Sequence, residues 1–273
     1  MGIELQLKLY WAGVGIYTLA IIAYVTALIF DKPNLPAKAS WLVAGGFIFH
    51  SAALLGRWIE AGRAPYWGFY EVAPASAWSL ALVFLLVQWW WPRIKILGII
   101  VMPIVLLTIG VGILSSKELA EIPRTFYTFW LGVHVIFAKL TFGGLLICAA
   151  LGVFYLVKEK QERPNKVLDS LPSLETMDYL GYRFGAFGFI MMSIMIASGA
   201  VWAYKAWGRY WNWDPIETWS VISWLISGLY LHMRVTMGWK GRRGAWLAIF
   251  TLVAMIFAYY GVPLFFESIH EHL

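Results

Sequence analysis

The sequence predicts an all-α, polytopic membrane protein of about eight transmembrane helices with a tryptophan-rich outer loop, and three observations predict it. Of its 273 residues, 61% are hydrophobic and only 13% are charged, about half the charge fraction of a soluble domain. Mean hydropathy is +0.70. Apolar runs of about twenty residues recur along the whole chain, each long enough as a helix to cross a hydrocarbon core of roughly 30 Å.

The runs that read as spans are Lys8 to Phe30, Ala39 to Ile59, Pro74 to Trp91, Ile94 to Leu114, Phe129 to Val157, Arg183 to Tyr204, Pro215 to Met237 and Ala245 to Phe266. They carry no internal repeat and no low-complexity tract, so residues 1–273 are expected to form a single integral-membrane helical domain. The longest polar stretch, Lys158 to Asp178, reads as an inner loop between the fifth and sixth spans. The first run has no basic n-region and no small-residue cleavage site, which favours a spanning helix over a signal peptide. The single cysteine, Cys148, lies in an apolar run. It leaves no disulfide framework, no Cys-x-x-Cys pair and no thiolate metal site, and reads as a small core residue.

Basic residues orient the chain. With the N-terminus outside, inner loops and span ends hold thirteen of the twenty-one Lys and Arg residues, the outer side holds seven, and Lys139 is left inside a span. The positive-inside bias therefore puts both termini on the outer face. The net charge of +6 is mostly topology, and a nucleic-acid partner has little support beside the lipid bilayer.

The stretch Lys205 to Trp219, KAWGRYWNWDPIETW, then falls outside. Its four tryptophans, one tyrosine and two acids lie between two long apolar segments. Amphipathic rings favour a place apolar at one end and wet at the other, such as a membrane interface or the face of a large flat ligand. For one tryptophan an aromatic belt is explanation enough; Trp207, Trp211, Trp213 and Trp219 together point to a ligand surface. Asp214 suits an N-cap, Pro215 the first helical position and Glu217 the third, so these acids read as the capping box that starts the seventh span. Arg209, Lys205 and Arg124 suit ligand carboxylates and lipid headgroups equally.

Titratable groups in a bilayer are costly and usually have a partner or ligand. Of the five histidines, His134 falls in the first turns of the fifth span and His270 just beyond the eighth, both outside and flanking the indoles. His232 lies about fourteen residues down the seventh span, roughly 21 Å at 1.5 Å per residue. His50 reaches a similar depth from inside, and His272 reads as a solvated end group. A lone membrane histidine is often only a hydrogen-bonded interior residue. Two imidazoles beside a planar aromatic surface, however, are what an octahedral haem iron needs. A deeper site would use His232 and one more ligand.

These residues carry a resemblance. WGRYWNWDPIETW is similar to the "WWD" signature of the haem-handling proteins of cytochrome c biogenesis, specifically the CcsA/ResC branch of system II. FHSAALLGRWIEAGRAPYWGFYE from Phe49 to Glu71, VHV around His134, YLHMR around His232, the KGRR after it and the C-terminal GVPLFFESIH agree. The resemblance implies export of haem b, iron protoporphyrin IX, as a transported substrate, and its attachment to an apocytochrome c bearing Cys-x-x-Cys-His, as part of a synthetase complex. It implies that His134 and His270 ligate haem beside Trp207, Trp211, Trp213 and Asp214, and that His232 receives it within the membrane. The second deep ligand would come from a CcsB/ResB-like membrane subunit or from His50. Glu267 and Glu271 around His270 depart from the usual pattern, and acids so near an iron ligand favour oxidised haem. The outer face would be the periplasmic side of a bacterial plasma membrane, or a thylakoid lumen. Two other classes compete: a b-type cytochrome subunit of a respiratory oxidoreductase holding haem between His50 and His232, and a secondary transporter with broken helices and inverted repeats, neither of which is visible.

Overall fold

The computed structural model describes residues 2–119, 122 and 126–266. Every regular element among them is helical: α1 Ile3–Ile29, α2 Leu35–Ala61, α3 Phe69–Trp90, α4 Gly98–Leu114, α5 Phe129–Glu159, α6 Lys166–Asp169, α7 Leu174–Trp207, α8 Pro215–Val235, α9 Arg242–Ile256 and α10 Val262–Phe265. A 3-10 segment, Pro92–Leu97, leads into α4, and a π-helical turn, Phe257–Gly261, joins α9 to α10. Among the described residues, seven helices are long and apolar enough to cross a membrane, with Pro92–Leu114 and Arg242–Gly261 each taken as continuous. The 21 residues of α8 reach about 32 Å, long enough to act as the eighth.

Several expected boundaries move, and two of them do so for a clear local reason. α3 begins at Phe69, not at Pro74, because Gly68 with φ 71° provides the turn and Glu71 occupies the first helical turn. Pro74 thus sits inside the helix. α7 begins at Leu174, not at Arg183, since the Ser173 side chain accepts from the Thr176 backbone N–H at 3.2 Å and caps the extra turns. Within the stretch read as an inner loop, α6 is capped in the same way by Asn165, whose side chain accepts from Leu168 N at 3.0 Å.

The chain forms two compact units, residues 1–120 with 161–172, and residues 121–160 with 173–272. In the first, α1 buries one stripe of residues spaced alternately by four and three: Gln6, Tyr10, Gly13, Tyr17, Ala20, Tyr24 and Ala27. That spacing keeps one helical face turned inward. Two polar groups on this core are linked: the Tyr24 hydroxyl lies 3.2 Å from Ser40 Oγ, and Ser40 donates to Gln88 at 2.7 Å, while the buried Tyr10 hydroxyl has no hydrogen-bond partner among the described residues.

In the second unit α5 and α7 approach through glycine. A Cβ at Gly144 would come within 3.3 Å of the Gly188 backbone, and one at Gly152 within 2.9 Å of the Ala245 carbonyl of α9. Asp178 near the start of α7 ties the α8–α9 turn, accepting from Arg234 Nη2 at 2.9 Å and from Gly241 N at 2.8 Å. α5, α7, α8 and α9 thereby form the frame that carries the tryptophan-rich loop.

Candidate functional site

The loop is held at both ends by its own sequence. α7 stops at Gly208, whose φ of 74° is the left-handed conformation that glycine adopts without penalty. α8 starts with the capping box expected of Asp214 and Glu217. The Asp214 side chain accepts from Ile216 N at 3.1 Å, and Glu217 Oε2 accepts from Asp214 N at 3.3 Å and from Asn212 N at 2.8 Å. The acids are thus structural, and both are buried. Between the two ends Trp213 takes φ 56°, unusual for a bulky residue, and its indole is 73% exposed.

The remaining rings pack in pairs. Trp207 meets Trp202 edge-on at 4.9 Å, Trp211 meets Trp213 at 5.9 Å, and Tyr210 stacks on Tyr204 at 4.4 Å. Trp219, in the first turns of α8, packs on Phe257 of the π-helical turn at 4.6 Å.

His134 lies under this assembly. Its Nδ1 donates to the Met195 carbonyl at 2.8 Å, and its ring lies nearly parallel to Trp202 at 6.3 Å. A carbonyl only accepts, so Nδ1 carries a hydrogen, and in the neutral ring the lone pair is then on Nε2, the arrangement found in metal-binding histidines. A small open pocket joins His134 to Trp211, Tyr210, Glu217 and Ser220. The Trp211 indole nitrogen is buried without a hydrogen-bond acceptor among the described residues.

The other predicted histidines are placed differently. His232 is exposed near the end of α8, with Nδ1 3.4 Å from the Thr236 hydroxyl. His50 belongs to the first unit and is 1% exposed. Its Nε2 donates to the Pro74 carbonyl at 3.0 Å, and its Nδ1 faces the Tyr17 hydroxyl at 3.5 Å. His50 therefore holds the tautomer opposite to that of His134, with both nitrogens directed at protein partners in the manner of an interior packing residue. His270, His272, Glu267, Glu271 and Arg124 lie outside the described residues. Sequence reasoning passed over Met195 and Gly199, because a backbone carbonyl and a missing side chain leave no chemical mark; the spacing of four and three from Met195 through Gly199 to Trp202 is the trace they leave.

The family described as Cytochrome C assembly protein matches residues 66–270. The curated relative named Cytochrome c biogenesis protein CcsA from Guillardia theta is 32% identical over 93% of this chain and 92% of its own length. Its namesake from Prochlorococcus marinus (strain NATL1A) is 32% identical over 86% and 85%, and that from Chlamydomonas reinhardtii 34% over 80% and 64%. Among solved structures, the one titled Cytochrome c Heme Lyase CcmF shares the fold with a TM-score of 0.70 and 17% identity, over 97% of this chain and 46% of that one. An all-helical membrane chain that carries an indole-rich loop over a tautomer-fixed histidine, and that matches these relatives over most of its length, belongs to the cytochrome c assembly protein family and, within it, to the CcsA type.

Proposed function

We propose that this cytochrome c biogenesis protein exports haem and presents it for attachment to apocytochrome c. Haem b enters from the inner side, is received at His232 and reaches the outer face, where His134 and His270 hold the iron beside the tryptophan-rich loop. The exposure of His232 on α8 suits a deep site completed by a second membrane subunit of the CcsB/ResB kind; His50, with its nitrogens already engaged, suits that role less. The loop then offers the vinyl edge of the macrocycle to a Cys-x-x-Cys-His segment. Each substrate thiol adds across a vinyl group, sulfur to one carbon and hydrogen to the other, so the bond-forming step itself consumes no oxidant. The protein contributes orientation and control of the iron's ligands, and the thiols come from the substrate. Both termini and the loop face the periplasm, or the lumen if the membrane is a thylakoid.

The observation that carries this reading is the His134 imidazole, fixed by Met195 with its lone pair on Nε2 beside a pocket bordered by indole. The test is to purify the protein with and without the partner subunit and record haem content and absorption for wild type, His134→Ala, His270→Ala and His232→Ala. Loss of haem in the first two, and loss of a partner-dependent signal in the third, is expected. Unchanged haem content and unchanged cytochrome c maturation in all three variants sinks the proposal.

A further inference from the structure

We infer that Gly199 is a positioning residue for the His134 imidazole, an inference that rests on the haem-ligand reading of His134. Met195, Gly199 and Trp202 are spaced by four and three residues on α7 and so share one face of the helix. All three meet the same ring. Met195 supplies the acceptor for Nδ1 at 2.8 Å, and Trp202 lies within 24° of parallel to the imidazole. Gly199 leaves the space between them: a Cβ there would come within 2.6 Å of Nδ1 and 2.9 Å of Cε1.

The obstructed atoms belong to a ring held by a hydrogen bond and a stacking partner, not to the free end of a flexible side chain. Any side chain at position 199 therefore pushes the imidazole away from the Met195 carbonyl. The Nδ1–H bond is what keeps the lone pair on Nε2 and aims it, so its loss loosens both the tautomer and the direction of the ligand. Gly199 lies within helical backbone, where alanine is ordinarily preferred. Its backbone gives no reason for glycine, and the contact with His134 does.

Two measurements test this. In the haem-free, unsubstituted protein, ¹⁵N NMR of labelled histidine, with the His134 signal assigned by its absence in His134→Ala, should show protonated Nδ1 and unprotonated Nε2. A protonated Nε2 overturns the inference without need of any variant at position 199. In the second, haem affinity, absorption spectrum and midpoint potential are compared for wild type, Gly199→Ala, His134→Ala and the double variant. Gly199→Ala should weaken haem binding by about 10- to 100-fold, the range for groups that orient metal-binding histidines, and should shift the spectrum. It should add nothing further to His134→Ala, since it acts through that ring. Wild-type affinity and spectrum in Gly199→Ala, or an additive loss in the double variant, overturns the positioning role while leaving ligation by His134 intact. Unchanged haem binding in His134→Ala overturns the ligand reading, and the inference with it.

Discussion

Glu71 accepts a hydrogen bond from Arg57 Nε at 2.9 Å, with 1% and 3% of the two side chains left exposed. Arg63 binds the same carboxylate at 2.5 Å, and the Trp67 backbone N–H adds a third donor at 3.2 Å. The rest of the Arg57 guanidinium goes to the carbonyls of Lys117 and Glu118 at 3.2 and 3.4 Å. One carboxylate thus ties the end of α2, the following turn, the start of α3 and the segment after α4. The cluster sits inside the Phe49 to Glu71 stretch that carries part of the family resemblance, so that stretch has an architectural explanation.

Glu71→Gln should therefore be among the most damaging substitutions in the first unit. Removing the charge leaves Arg63 without its carboxylate and Arg57 with only Glu60, 4.0 Å away, a loss of up to about 3–5 kcal/mol for a buried pair. Thermal unfolding in detergent, or the amount of chain accumulating in membranes, reads this directly. Wild-type stability in Glu71→Gln contradicts the geometry.

At the loop, Asp214→Ala should cost about 1 kcal/mol, the usual value of an N-cap, and Asp214→Asn less. Glu217→Ala should cost more, because it removes the acceptor of the backbone N–H groups of both Asn212 and Asp214, and the one at buried Asp214 is worth about 1–3 kcal/mol. Limited proteolysis should find the 208–214 segment cut faster in Glu217→Ala than in Asp214→Asn.

Trp213 separates stability from activity. Its positive φ costs a non-glycine residue about 1–2 kcal/mol, and its ring is largely exposed. Trp213→Gly should unfold at the same temperature as wild type or higher, yet mature less cytochrome c. Equal maturation would show that this indole does not meet the substrate.

His50→Ala should act on the fold alone. The substitution empties a buried site and leaves the Pro74 carbonyl and the Tyr17 hydroxyl without their partner, at a cost of roughly 2–4 kcal/mol. Haem bound per folded molecule should stay at the wild-type level. A selective loss of haem with stability retained would restore His50 as a ligand. Reporters fused after Leu114 and after Val157 check the orientation independently, with the first expected outside and the second inside.

Much of this was legible in the sequence because bilayer physics leaves few choices. An apolar run of about twenty residues must become a helix, and Asp214-Pro215-Ile216-Glu217 announces its cap through side-chain chemistry alone. The starts of α3 and α7 were misplaced for the opposite reason. Pro74 looks like a helix opener until Gly68 is seen to turn the chain earlier, and Ser173 caps turns too polar to count as a span. Within the site, His134 and the indoles were visible as residue types. The choice of tautomer was not, since it depends on a backbone carbonyl sixty-one positions away along the chain.

Along α1, each buried tyrosine is followed three residues later by a small one: Tyr10 by Gly13, Tyr17 by Ala20, Tyr24 by Ala27. Sliding the helix by seven residues, about 10 Å, puts a tyrosine back where a tyrosine was and a small residue where a small one was. Side-chain size alone scarcely separates these alignments, but their polar partners differ: the Tyr17 hydroxyl faces His50 and the Tyr24 hydroxyl Ser40, whereas that of Tyr10 has no partner among the described residues. Gln6 does not repeat. It ends the stripe as a buried amide, donating to Glu60 and lying 3.5 Å from the Tyr70 hydroxyl. Like a single buried asparagine in a coiled coil, it adds to the hydroxyl contacts of Tyr17 and Tyr24 in holding the first helix to one register.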